Sequence, residues 1–215
     1  MAQEIEVKLR VLSGTEEEIL ASLSRLLGSE TFEQHALGNS YYDTPDQQLR
    51  SSKIALRIRQ KGAQFIQTLK TKGHVVKGLH QRGEWEWAIT GQKLESTCLD
   101  QCQAWPKYIN TDLLTAVFET NFRRFVTNVV WKGIEVELAF DIGYILANGR
   151  KLVINEVELE LLSGDLPEAL PEKASILLLQ ELSDYLANNM AVEVYDVSKA
   201  ERGYELYLQT QHEKK

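Results

Sequence analysis

An α+β fold is predicted for this chain of 215 residues, a sheet whose strands each carry one ionised face, with helices packed against it. Two observations predict it. Strand-like segments place charged residues at every second position, the period at which strand side chains share a face. Segments of helical spacing follow the first strand and the last, supplying apolar surfaces for the sheet to bury.

The first strand is EIEVKLR, residues 4–10, with Glu4, Glu6 and Lys8 on one face and Ile5, Val7 and Leu9 on the other. Alone it reads as a solvated edge strand whose charge discourages pairing. Thr15 followed by Glu16, Glu17 and Glu18 reads as a capped first helical turn, and Ile19, Leu20, Leu23, Leu26 and Leu27 recur at helical spacing up to Gly28. A strand near 32–42 follows, then a turn at Asp43-Thr44-Pro45 and a short irregular or helical piece ending near Leu49.

IALRIRQ, residues 54–60, puts Arg57 and Arg59 on one face. After a turn at Lys61-Gly62, FIQTLKT carries Lys70 on the parity of Ile66 and Thr68, so a hairpin would set Lys70 beside the arginine strand. HQRGEWEWAI, residues 80–89, opposes Arg82, Glu84 and Glu86 to Trp85, Trp87 and Ile89. Residues 91–105 read as a linker with one or two short helices. Residues 117–131 are strand-like, and parity places one of Arg123 and Arg124 inward, with Arg124 preferred. IEVELAFDIG then sets Glu135, Glu137 and Asp141 on one parity, and KLVINEVELEL does the same with Glu156, Glu158 and Glu160, the two joined by a turn at Asn148-Gly149. A helix is expected over 167–188, with Leu170, Ile176, Leu177, Leu179, Leu182 and Leu186 on its apolar side. A last helix from Ser198 to about Leu208 carries Lys199 and Arg202.

Composition narrows the function classes. A formal charge of −7, from 24 basic and 31 acidic residues, argues against a nucleic-acid surface but not against a small polyanion. No apolar run approaches the length of a membrane span, and the first six residues carry two charges where a signal peptide would be apolar. A cytoplasmic protein without nucleic-acid or membrane partners is the expectation. Cys98 and Cys102 have no matching second pair, so they read as reduced thiols. His35, His74, His80 and His212 read as surface or structural residues.

Two arrangements accommodate the charged faces. An open sheet could turn them to water. A closed sheet could turn them inward, and it accounts better for the segregation of basic from acidic strands and for the second set of apolar faces on the helices. Inside such a lumen the basic residues suit phosphate oxygens, and the carboxylates call for a hard divalent cation.

EIEVK resembles the ExExK signature of the CYTH superfamily, the triphosphate tunnel metalloenzymes. NSYYDTPDQQL, ALRIR, QTLK, RGEWE, FETNFRR, IEVELAFDIG and NEVELEL follow in that family's order, from residue 4 to about 205. The resemblance implies an eight-stranded antiparallel β-barrel, a tunnel flanked by helices, as one domain over 1–210 with a disordered tail at 211–215. It implies Mg²⁺ or Mn²⁺ as cofactor, and hydrolysis of inorganic tripolyphosphate to pyrophosphate and phosphate as the activity. Glu4, Glu6 and Lys8 would be catalytic. Lys8, Arg57, Arg59, Lys70, Arg82, Arg124, Lys199 and Arg202 would bind substrate. Glu4, Glu6, Glu84, Glu86, Glu135, Glu137, Asp141, Glu156 and Glu158 would form the metal-holding wall. The alternatives are a class IV adenylate cyclase, a thiamine triphosphatase and a non-catalytic polyphosphate-binding module. The cyclase branch is similar but carries a histidine where this chain has Tyr41. In the bacterial triphosphatases that the chain most resembles, a CHAD domain often follows in the same chain.

Overall fold

The computed structural model of the chain describes residues 2–29, 31–162 and 171–212. Its strands are β1 (Ala2–Val11), β2 (Glu33–Asp43), β3 (Ala55–Lys61), β4 (Gln64–Lys70), β5 (His74–Val76), β6 (Leu79–Ile89), β7 (Thr115–Trp131), β8 (Ile134–Ala147), β9 (Arg150–Leu161) and β10 (Val192–Val194). Eight of them form a closed antiparallel barrel in the order β1-β9-β8-β7-β2-β3-β4-β6, with β6 returning to β1. Strands β5 and β10 are short additions that the sequence pattern did not announce.

Closure depends on β1. One edge pairs with β9 over Glu6–Arg10, while the other pairs with β6 over Ala2–Val7 and then with β10 over Leu9–Val11. At the changeover the Lys8 N–H donates to the Gly78 carbonyl at 3.1 Å, and the Lys8 carbonyl accepts from the Tyr195 N–H at 2.9 Å. Lys8 is therefore fixed by backbone contacts where two strand partners meet.

The outer faces are apolar because helices cover them. Helix α1 (Glu16–Leu27) begins with a capping box between Thr15 and Glu18 and ends at Gly28 in the left-handed region, as the sequence pattern implied. Its Ile19 and Leu23 join Ile5, Val7 and Leu9 of β1, the outward residues of β8 and β9, and Leu179, Leu182 and Leu186 of α4 (Glu172–Asn189). The start of α4 differs from the expected 167, because Pro171 takes the N-cap position; the earlier part of that expectation, Leu170 included, lies outside the described residues. On the opposite side Leu56 and Leu69 pack with Leu49 of α2 (Gln48–Ser51), Leu99 of α3 (Ser96–Gln101) and Trp105, with Trp85 and Trp87 against them. The Asn148-Gly149 turn has φ of 49° and 84°, the paired positive values of a tight hairpin.

Helix α5 (Lys199–His212) packs on residues of lumen-facing parity. Its Tyr204 and Leu206 meet Tyr41, Phe118, Phe122, Ile145 and Ile154, an inner apolar cluster that closes one end of the lumen. Gly203 permits this, since a Cβ there would lie 2.1 Å from the Phe118 ring. The helix also takes up Gln211 and His212, which the sequence reading assigned to a disordered tail; residues 213–215 lie outside the described residues. Among the described residues no helix is long and apolar enough to cross a membrane.

Candidate active site

Register turns the alternating charges into one wall. Lys8 faces Glu158, Glu6 faces Glu160, and Glu137 lies across from Glu160 on the other side. Glu4 faces Arg82, Lys70 faces Glu84, and Tyr41 faces Arg57. These residues line a cavity of about 170 Å³, together with Arg59, Glu86, Phe122, Arg124 and Lys199. Arg124 points in and pairs with Asp141, whereas Arg123 points out to Glu16 of α1.

The cations and carboxylates are not evenly matched. At the α5 end, Asp141, Glu156 and Glu158 bring carboxylate oxygens within 4.8 Å of one another, a spacing that could hold a metal. Basic groups already occupy that cluster. Arg124 donates to Asp141 at 2.8 and 2.7 Å and to Glu158 at 2.5 Å. Lys199 lies 2.7 Å from Asp141 and 2.9 Å from Glu158 and pairs also with Glu156, which Arg202 holds from the other side. Lys8 donates to Glu158 at 2.5 Å. Three carboxylates thus meet four cations. Burial alone would raise Glu158 and Asp141, but Lys199, Lys8 and Arg124 hold Glu158 well below the usual range, and Arg124 and Lys199 hold Asp141 below its own.

The other carboxylates are less well served. Arg82 donates to Glu4 at 2.7 Å and to Glu6 at 3.1 Å, and Lys70 pairs with Glu4 and lies 3.2 Å from Glu84. Burial opposes the charge on Glu4, yet Lys70 and Arg82 outweigh it and hold the carboxyl low. Glu160 has no ion-pair partner among the described residues. Burial, reinforced by Glu4, Glu6 and Glu84, pushes it from 4.5 to about 8.

The opposite wall shows the converse. Arg59 on β3 has no ion-pair partner among the described residues; its Nε donates to Asn39 Oδ1 at 3.1 Å. Burial and the neighbouring Arg57 and Arg124 lower its guanidinium from 12.5 to about 10. Arg57 reaches Glu84 only at 3.8 Å, and its buried Nε has no partner. Tyr41, 4% exposed, stands beside these arginines; burial opposes its ionisation, but Arg57 and Arg59 hold the phenol below its ordinary value. The lumen therefore has a wall short of an anion facing a wall short of a cation.

Several expected site residues lie elsewhere. Glu135 shares the inward parity but sits at the start of β8, opposite Val130 of β7 and outside the cavity, where its carbonyl accepts from the Leu162 N–H at 3.1 Å. Arg202 does not line the cavity; it is buried against Glu156 and over the Tyr195 ring. Asp141 and Glu156 likewise lie behind the lining, 0% and 1% exposed. Glu86 faces in but is held by the Thr68 hydroxyl at 3.1 Å. Six lining residues were absent from the expected set, the ionisable Tyr41 and Glu160 together with Ala55, Phe122, Ser198 and Ala200. His80, read as surface or structural, is 2% exposed with an unpartnered Nε2.

Oxygen donors for a hard divalent cation line the side where charge is unmatched, although the carboxylates that converge within 4.8 Å among the described residues are Asp141, Glu156 and Glu158. Glu160 shares the lining with Glu4, Glu6 and Glu137, which offer carboxylate oxygens only, and burial with the neighbouring Glu4 and Glu6 raises its pKa despite Lys70.

Comparison with known proteins agrees with this architecture. The CYTH domain family model matches residues 2–204. An inorganic triphosphatase of Haemophilus influenzae is 34% identical over 211 residues, which is 95% of this chain; the chain spans 55% of that relative's length. A putative adenylyl cyclase from Hippeastrum, described as having a dominant triphosphatase activity, superposes with a TM-score of 0.65 at 21% identity, covering 94% of this chain and 95% of that one. A putative adenylate cyclase from Bacillus halodurans superposes with a TM-score of 0.53 at 23% identity, covering 94% and 98%. At these identities the two structures bear on the fold.

Proposed function

The chain belongs to the CYTH domain family, and on that premise we propose that it is a metal-dependent triphosphatase cleaving inorganic tripolyphosphate to pyrophosphate and phosphate. The observation that carries the reading is a facing pair of groups left unmatched among the described residues, Arg59 with the unpartnered Nε of Arg57 on one side and Glu160 on the other. A polyanion bound with a divalent cation satisfies both, and either alone satisfies only one. The activity of the Haemophilus relative supports the same substrate.

In this reading Arg57, Arg59, Arg124, Lys70, Arg82, Lys8 and Lys199 grip phosphate oxygens, their forks fixed in place by Asn39, Asp141, Glu4 and Glu158. Glu4, Glu6, Glu137 and Glu160 hold Mg²⁺ or Mn²⁺. When bound, such an ion neutralises charge on the transferring phosphoryl group and lowers the pKa of a water molecule. Glu84 and Glu86 keep the basic wall oriented through Lys70 and Thr68. Asp141, Glu156 and Arg202 anchor Lys199 and α5 beneath the site. Tyr41 fills the lumen beside Arg57, where its hydroxyl can donate to a phosphate oxygen. No covalent nucleophile is needed.

Residues 1–210 act as one domain in this account. The free thiols of Cys98 and Cys102 suit a reducing compartment, and we place the reaction in the cytoplasm. A CHAD domain would belong to a longer parent chain. The test is phosphate release from tripolyphosphate, ATP and thiamine triphosphate with Mg²⁺ or Mn²⁺. Release is expected fastest from tripolyphosphate. Tight binding of tripolyphosphate without turnover would select the binding module, and cyclic product from ATP would select the cyclase.

A further inference from the structure

A second cavity, of about 470 Å³, opens beside the lumen. The two share Ala55, Lys70, Arg82, Ser198 and Ala200, so the charged lumen continues into it past Lys70 and Arg82. Its outer wall adds three cations, Arg50 of α2, Lys53 before β3, and Lys72 between β4 and β5. Lys53 and Lys72 have no carboxylate partner among the described residues, and the Arg50 guanidinium donates only to Gln47 Oε1 at 3.4 Å. Two carboxylates from α5 face them. Of these, Glu201 is engaged by the Ser198 N–H at 2.8 Å, leaving Glu205. His80, buried with its Nε2 unpartnered, lines the same space.

The contrast with the lumen decides the occupant. The lumen's cations share their cavity with a full wall of carboxylates, whereas the lining here has three cations and, besides the engaged Glu201, one carboxylate, Glu205; the unpartnered His80 Nε2 belongs to the same lining. We propose that the second cavity is a subsite for the fourth and later phosphoryl groups of a linear polyphosphate whose first three lie in the lumen. This rests on the triphosphatase reading and extends its substrate class to longer chains. A flat organic group is the poorer occupant, because the one tyrosine in the lining is Tyr204, buried and with its hydroxyl donated to Asp43 at 2.9 Å.

The experiment measures tetrapolyphosphate as a competitor of tripolyphosphate hydrolysis, in the natural chain and in a Lys53→Gln, Lys72→Gln double variant. The inhibition constant in the natural chain should fall about tenfold below the KM for tripolyphosphate, the factor that one added charge-assisted contact supplies. In the double variant it should return to within about twofold of that KM, while kcat and KM for tripolyphosphate stay within about twofold of their original values. Equal constants in the natural chain would overturn the subsite. So would a double variant that raises the tripolyphosphate KM as much as the tetrapolyphosphate constant, or a natural chain that favours ATP over tetrapolyphosphate as competitor. A chain that turns over tripolyphosphate yet shows no preference for the longer competitor loses this proposal and keeps the triphosphatase reading; one with no turnover loses both.

Discussion

Replacing Glu160 by Gln should stabilise the metal-free protein, and only at neutral to alkaline pH. Glu160 has a folded pKa of about 8 against 4.5 unfolded, so between those values the folded chain holds a proton that the unfolded chain releases. Stability from this group is thus intact below about pH 4.5 and is lost as pH rises towards 8. Each pKa unit is worth about 1.4 kcal/mol, which puts the full loss near 5 kcal/mol. The side chain is only partly buried, and screening by water brings the expected value to about 2–3 kcal/mol. Urea denaturation in a chelator, at about pH 4 and about pH 9, reads the effect directly. The variant should match the natural chain at the lower pH and exceed it by about 2–3 kcal/mol at the higher, and added Mg²⁺ should close the gap by stabilising the natural chain. Equal stability of the two proteins at both pH values would refute the claim that Glu160 is a carboxylate short of a cation.

Other perturbations separate gripping from scaffolding. Arg59→Met removes a guanidinium crowded by Arg57 and Arg124, so the KM for tripolyphosphate should rise about tenfold to a hundredfold while the melting temperature of the ligand-free protein does not fall. Lys199→Met leaves Asp141, Glu156 and Glu158 with one cation fewer in a buried knot, and chemical denaturation should show a loss of about 3–5 kcal/mol. Gly203→Ala drives a methyl group into the Phe118 ring; the expected cost is about 1–3 kcal/mol, with faster amide exchange in α5 than in β7.

The sequence carried the strands well, because the barrel's two chemistries sit on opposite parities. Ile5, Val7 and Leu9 had to face helices, and Glu4, Glu6 and Lys8 had to face something polar; only strand pairing showed that the polar side is enclosed. Parity cannot show where a rung falls along the barrel axis, which is why Glu135 was grouped with Glu137 although it stands at the start of β8, outside the cavity. Helical spacing put Lys199 and Arg202 together but not their depth: Lys199 lines the cavity, while Arg202 is used up beneath it by Glu156. The inner cluster of Tyr41, Phe118, Phe122 and Tyr204 was illegible, since aromatic residues on a lumen parity contradict a uniformly charged face until α5 is seen packing against them. Glu160 was visible on the charged face of β9, but its missing partner is a property of the assembled wall.

The most direct test of the account follows the phosphorus. Tripolyphosphate incubated with the protein and Mg²⁺ and resolved by ³¹P NMR should disappear with one pyrophosphate and one phosphate formed per molecule consumed, and a chelator should stop the reaction. No turnover, or turnover unchanged by the chelator, would contradict a lumen built to pair a polyanion with a divalent cation.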